Sequence, residues 1–436
     1  MWHIREKTEI TGSLNPKHKN SADNAPEHTK KQETNTMKYA AVLGYGTVGS
    51  GVVKVINTNN EIISKNAGGG LRVKHVLDLR TFPGDPVEEI LTDDFNTILN
   101  DPEVDIVVET MGGLHPAYEF TKAALEAGKS ACTSNKELVA EYGLELLQTA
   151  KEHGVNYLFE ASCGGGIPII RALMNSLTGD EILEITGILN GTTNYIMTQM
   201  TENGTGFDEA LKDAQAKGFA ELHPEADIEG YDPCRKISIL SEIAYGKAVD
   251  YNDLHCEGIT KIQTEDIRYA AELGSAIKLL ASSVKKENGC EMMVSPYIVS
   301  QDSPLYAVKG VFNAVFVKGN MLGDAMFYGS GAGSLPTASA VVGDVVDLAR
   351  NSGRNIMKIW EKEKLPLVPF EEIENSFFVR VGTENLEEAK KVFGCEKVIE
   401  GVIEGEAAVL TGVMKEGAFA AGLEKVPVRS FIRVKK

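Results

Sequence analysis

One stretch of this chain gathers more reactive groups than any other: Lys217 to Lys236, KGFAELHPEADIEGYDPCRK. It sets Glu221, Glu225, Asp227, Glu229 and Asp232 ahead of Arg235 and Lys236. As a bare run it fits a solvated acidic loop equally well. The detail points further. Gly218 and Gly230 break regular structure, and Asp232-Pro233 reads as a helix start, with Asp as N-cap and Pro at the first helical position. Lys236, four residues on, leaves the same side of that helix. The following residues, ISILSEIAYG, are too apolar to remain in water, so the helix packs into a core. The lysine then emerges near a buried helix start, facing carboxylates of the preceding loop. A small substrate bearing an ammonium group, with three hydrogen-bond donors, suits such a set of acceptors.

A second pattern lies in KYAAVLGYGTVGSGVVKVI. Gly44, Gly46 and Gly49, with Tyr45, Thr47 and Val48 among them, form a G-x-G-x-x-G turn with an apolar strand before and an apolar-faced helix after. The first glycine permits the turn, the second lets backbone approach a pyrophosphate, and the third lets helix and strand pack closely. The helix N-terminus then faces the phosphates. The next strand, LRVKHVLDLR, brings Asp78, placed to accept adenosine ribose hydroxyls, and Arg80, placed to meet a 2′-phosphate; the two favour opposite cofactors. Open parallel sheets bind ligands at the carboxyl ends of their strands. Two such loops carry polar groups, Glu109-Thr110-Met111-Gly112-Gly113 and Ser134-Asn135-Lys136, and Lys136 should point into the cofactor crevice. In FEASCGGGIPIIRAL the glycines 164–166 make either a tight strand-to-helix turn or a ring of carbonyls for a cation. Gly329, Gly331 and Gly333 allow close approach to a ligand.

The elements that must position these groups follow from periodicity. Apolar strands such as DIVVE alternate with helices up to NYLFEA, which predicts a parallel sheet. We expect a dinucleotide-binding domain over 37–160, completed by the helix of 330–350, and a substrate-binding and dimerisation domain over 161–329 with an antiparallel or mixed sheet. Within it, a strand precedes a helix that starts near Thr192 or Thr193, and a long helix is expected over 264–285. Residues 351–374 read as a linker. From 375 the order βαββαβ predicts a ferredoxin-like unit standing apart from the catalytic body. Residues 1–36, polar and without apolar periodicity, read as a disordered extension. The 436 residues and 43% hydrophobic content support several cores, and a net charge of −18 disfavours nucleic acid or anionic membrane as partner. No apolar run has the length of a membrane span. Six cysteines without a CxxC pair fit a reducing cytoplasm rather than a disulfide framework.

From Met37 to about Arg350 the chain resembles homoserine dehydrogenases. GYGTVGSG, SNKELVA, FEASCGGGIP, GILNGTTNYI, GFAELHPEADIEGYDPCRK and FYGSGAGSLPTASAVVGD occur in that family's order. The resemblance implies a reversible oxidation of L-homoserine to L-aspartate 4-semialdehyde with NAD or NADP, within threonine, methionine and isoleucine biosynthesis. It implies Lys236 as catalytic acid/base with Lys136 beside the nicotinamide, and Glu221, Asp227 and Asp232 as substrate-binding carboxylates. Asn190, Gly191 and Thr192 would line the substrate's other side. Gly44, Tyr45, Gly46, Thr47, Val48, Gly49, Asp78, Arg80, Thr110, Lys136 and Gly331 would contact the cofactor. A monovalent cation, Na+, would sit on carbonyls of Glu160, Cys163, Gly165 and Ile167. A homodimer or homotetramer is expected. His223 and Cys234 depart from the acidic and small residues usual in the family. The tail resembles a ligand-binding ACT domain in element order but lacks its Asp-x-Pro-Gly turn, so we expect it to assemble subunits rather than sense threonine. The same first domain also serves other amino-acid dehydrogenases and non-enzymatic dinucleotide sensors; a sensor has no need of Lys236.

Overall fold

A computed structural model describes residues 37–435, so the expected extension over 1–36 lies outside the described residues. The first sheet is built from β1 (Lys38–Leu43), β2 (Leu71–Leu77), β3 (Leu91–Thr92), β4 (Val104–Glu109), β5 (Ser130–Thr133) and β6 (Tyr157–Leu158). All neighbours are parallel, in the order β3-β2-β1-β4-β5-β6. That is the doubly wound Rossmann order, whose crevice opens where the strand order reverses, between β1 and β4. Ala40, Ala41, Val42 and Leu43 are buried without alternation because helices cover both faces of a parallel sheet. One covering helix comes from far along the chain. Ala338, Val341 and Val345 of the Ser334–Arg350 helix join Val52 and Ile56 of the Thr47–Thr58 helix in one apolar cluster. Gly51 permits that crossing, since a Cβ there would lie 2.8 Å from the Ser334 hydroxyl.

The remaining strands are β7 (Ile182–Ile188), β8 (Lys247–Ala248), β9 (His255–Cys256), β10 (Ser275–Lys286), β11 (Gly289–Ser300), β12 (Phe312–Gly319), β13 (Gly323–Ser330), β14 (Glu361–Lys364), β15 (Glu374–Gly382), β16 (Lys397–Glu400), β17 (Glu406–Leu410), β18 (Met414–Lys415) and β19 (Ser430–Lys435). All but β8 and β14, which pair in a separate two-stranded sheet, form a mixed sheet in the order β13-β12-β7-β10-β11-β19-β15-β17-β16, with β9 on β11 and β18 on β15. Two helices pack against it near the site, Gly191–Asn203 and Tyr231–Tyr245.

The structure corrects three expectations. The helix expected over 264–285 stops at Glu272. Gly274 then takes a positive φ of 63°, and β10 runs antiparallel to β11 along its whole length. The chain turns at Glu287-Asn288, and Gly289 is the first residue of β11 to pair, opposite Lys286. The expected linker is ordered: β14 pairs with β8, Trp360, Val368 and Ile373 are buried, and the Val368 N–H donates to the Cys290 carbonyl. Finally, the tail does not stand apart. Its order β19-β15-β17-β16 is that of the ferredoxin-like split unit, but β19 pairs in parallel with β11, Tyr297 opposite Arg433, so tail and body share one sheet. Two buried arginines weld the joint. Arg433 binds Glu416, Glu257 and Ser295, and Arg380 binds Glu406 and Asp266.

Candidate active site

The Tyr231–Tyr245 helix starts two residues earlier than expected. Gly230, at φ 87°, occupies the N-cap, so Asp232 lies inside the first turn with its carboxylate free for other partners. Those partners define the site. Asp232 Oδ2 lies 2.7 Å from Lys236 Nζ, the i to i+4 neighbour, and Oδ1 lies 3.0 Å from Lys136 Nζ. Lys136 opens the Lys136–Glu152 helix, whose N-cap, Asn135, accepts from the Glu137 and Leu138 N–H groups. One buried carboxylate thus joins a lysine on the helix that follows β5 to a lysine on the Tyr231–Tyr245 helix. Arg235 and Glu137, 3.4 Å apart, bridge the same two helices. Lys236 also donates to the Leu189 carbonyl at 2.8 Å.

Asp232 therefore separates the two ammonium groups, which face it rather than each other. Burial opposes its charge, yet the two lysines and Asn190 hold its carboxyl well below the usual range. The attraction of Asp232 raises the Lys136 pKa against burial. Asp227 is pushed up, chiefly by burial and then by the charge of Asp232.

Several sequence-predicted residues converge here in roles more specific than their patterns showed. Asn190 Nδ2 donates to Asp227 at 2.7 Å and to Asp232 at 2.8 Å, while its Oδ1 caps the Gly191–Asn203 helix through the Thr193 N–H. It ties the carboxylates together rather than offering a free amide. Thr192 spends its hydroxyl on the Phe219 carbonyl at 2.6 Å, anchoring the acidic loop. Glu221 is exposed at the rim. These residues, with both lysines, Gly165, Gly191 and Gly331, line one cavity of about 480 Å³. His223 is exposed and not among its lining residues, and Cys234 is buried on the same helix, its thiol toward the Tyr251 carbonyl.

A neighbouring cavity of about 500 Å³ is lined by Gly44, Gly46, Asp78, Arg80 and Thr110. Gly44 takes φ 90°, and a Cβ on Gly49 would lie 1.9 Å from the Gly44 carbonyl oxygen, so both positions require glycine. The Tyr45, Thr47 and Val48 backbone forms the turn and the first residues of the helix behind it. Asp78 and Arg80 both line this cavity. They pair with each other, at 2.9 and 2.8 Å, and Asp78 also accepts the Tyr45 N–H. Arg80, hydrogen bonds first, holds the Asp78 carboxyl far below its usual range. The Thr110 hydroxyl faces the protein, donating to the Leu43 or Gly44 carbonyl. Met111, in the strand-end loop the sequence singled out, also walls this cavity; sequence reasoning missed Pro116 and Phe120, apolar residues without a distinguishing pattern.

The glycine turn of 164–166 packs against the Gly331 turn: a Cβ on Gly165 would lie 2.5 Å from the Gly331 carbonyl carbon. Among the described residues, the Cys163 and Gly165 carbonyls accept no hydrogen bond, while that of Ile167 accepts the Ile169 N–H at 2.8 Å.

A dinucleotide crevice beside an acidic cavity holding two lysines is equipped for hydride transfer coupled to proton transfer on a small cationic substrate. Comparison with known proteins agrees. A family model for the NAD-binding domain of homoserine dehydrogenase matches residues 44–160, and one for homoserine dehydrogenase matches 168–346. The chain is 42% identical to a homoserine dehydrogenase of Helicobacter pylori over 342 residues, 78% of this chain and 80% of that protein. A crystal structure of a homoserine dehydrogenase from Thiobacillus denitrificans superposes with a TM-score of 0.84 at 36% identity, covering 92% of this chain and 99% of that one. A hyperthermophilic archaeal homoserine dehydrogenase in complex with NADPH superposes at 0.62 with 28% identity, over 72% of this chain and 98% of that one.

Proposed function

The chain belongs to the homoserine dehydrogenase family of NAD(P)-dependent oxidoreductases, and on that premise we propose that Lys236 moves the proton that accompanies interconversion of L-homoserine and L-aspartate 4-semialdehyde. The observation that carries this reading is the single carboxylate, Asp232, shared by Lys236 and Lys136 in the acidic cavity. The Gly44–Gly49 turn would hold the cofactor's pyrophosphate, and the nicotinamide would supply or accept the hydride. Lys236 takes the hydroxyl proton during oxidation and returns it during reduction, as general acid–base catalysis requires. Lys136, kept protonated by Asp232, places a fixed positive charge beside the reacting oxygen, where charge develops. Glu221 and Asp227 accept from the substrate ammonium; Asn190 and Thr192 hold the loop that presents them.

The carbonyls of Glu160, Cys163, Gly165 and Ile167 suit a monovalent cation, Na+, since oxygen donors are what a hard cation takes. The unpaired Cys163 and Gly165 carbonyls support this. The assembly is a dimer at least: edge strand β13 exposes Met326 and Tyr328, with Phe312 of β12 stacked on Tyr328, an apolar edge suited to a second copy. Among the described residues no helix is long and apolar enough to cross a membrane, and six unpaired cysteines fit a cytoplasmic enzyme.

Steady-state assays with L-homoserine and either NAD or NADP test the reading. Turnover that depends on homoserine supports it and ranks the two cofactors. A protein that binds the dinucleotide without oxidising homoserine would overturn it.

A further inference from the structure

Successive side chains of strand β12 take opposite faces, each packed into its own apolar cluster. Asn313, Val315 and Val317 point to one face and are fully buried. The two valines are at home in that apolar cluster, but Asn313 is not. Neither its Oδ1 nor its Nδ2 has a hydrogen-bond partner among the described residues. Leaving both ends of a buried amide unsatisfied is destabilising, and an apolar residue of similar size would avoid that cost. The position therefore calls for a reason other than packing.

Its surroundings supply one. The Asn313 amide lies against Gly331, where a Cβ would fall 2.1 Å from the amide carbon. Its Oδ1 is 3.6 Å from where a Gly191 Cβ would be. Gly331 and Gly191 both line the acidic cavity, with the amide directly behind that wall. Gly331 leads into the helix that returns to the nucleotide-binding sheet; Gly191 starts the helix capped by Asn190. Gly331's own N–H and C=O also lack partners among the described residues. The Gly191 N–H, at a helix N-terminus, has no intrahelical acceptor.

We infer that Asn313 is a positioning residue that couples the two halves of the site: as cofactor and amino-acid substrate bind, the Gly331 and Gly191 turns seat on its amide, which then pairs with their free backbone groups. This rests on the reading of the acidic cavity as the homoserine site. Because the pairing forms on loading, before hydride transfer, it strengthens ground and transition states alike and acts on affinity rather than kcat. Because it touches both turns, each ligand improves the fit of the other, and the coupling is reciprocal.

The test compares wild type with Asn313→Leu, which is close in size, and with Asn313→Val, which favours a strand. Affinity for L-homoserine is measured by thermal shift with and without NADPH, an unreactive pair because both are reduced. In wild type, NADPH should tighten homoserine binding. In either variant that coupling should fall by about tenfold, KM for homoserine should rise with kcat within a few-fold of wild type, and the unliganded melting temperature should hold or rise. Wild-type coupling retained in the variants would overturn the proposal, as would a lowered melting temperature with unchanged KM. A wild type that fails to oxidise homoserine would instead overturn the reading of the site.

Discussion

At the scale of single residues, the site is a chain of dependence centred on Asp232. Lys236→Ala should lower kcat by about 10²–10⁴-fold, the range of general acid–base catalysis, while cofactor affinity stays within a few-fold. Turnover near wild type would remove Lys236 from the role. Glu221→Gln should raise KM for homoserine and leave cofactor binding alone, because an amide pairs poorly with an ammonium and the nucleotide crevice lies elsewhere; isothermal titration with each ligand reads this directly. Equal weakening of both ligands would make Glu221 a structural residue.

At the scale of elements, β19 is where the fold departs furthest from a modular arrangement. Its pairing with β11 and the Arg433 network make the tail part of the main sheet. Arg433→Met would leave Glu416 buried without its partner, and breaking a buried pair in this way costs about 3–5 kcal/mol. The denaturation midpoint should fall accordingly. Truncation after Phe370 removes β19, strips the edge of β11 and should yield aggregating protein, since an open strand edge pairs with other chains. A truncated enzyme that stays soluble and melts at the full-length temperature would show the shared sheet to be dispensable.

For the whole molecule, pH enters through buried acids outside the site. Glu242, in the Tyr231–Tyr245 helix, is pushed up to about 8 from an ordinary 4.5 by burial, with the Val249 N–H as its partner. Between those values the folded protein keeps a proton that the unfolded chain has lost. Stability from this group is therefore greatest below the unfolded pKa and falls as pH rises toward 8, by about 1.4 kcal/mol per unit at most. Glu242→Gln, neutral throughout, should remove that slope and stabilise the protein above pH 8. Parallel melting curves for both proteins from pH 5 to about 9 would refute this if the gap between them stayed constant.

Much of this protein was legible before any coordinates. The glycine turn, strand alternation and acid-then-lysine loop are local patterns, set by backbone sterics and periodicity within a few residues. They located the nucleotide crevice, both lysines and the carboxylates, and the order of elements in the tail. What the sequence could not determine depends on groups far apart in the chain. Gly274 and the Glu287-Asn288 turn bound β10, but an apolar run fits helix and strand alike until β11 is there to pair with it. Asn190 was placed beside the substrate, but its bonds to Asp227 and Asp232 cross about 40 residues. Asp78 and Arg80 read as rivals because spacing does not say that their side chains meet. Asn313 gave no signal at all, since one polar residue in an alternating strand is unremarkable until its buried amide is found without a partner. Local periodicity determined which elements form and which residues they carry; only the packing of distant segments, through long-range burial and hydrogen bonding, decided what each of those residues faces.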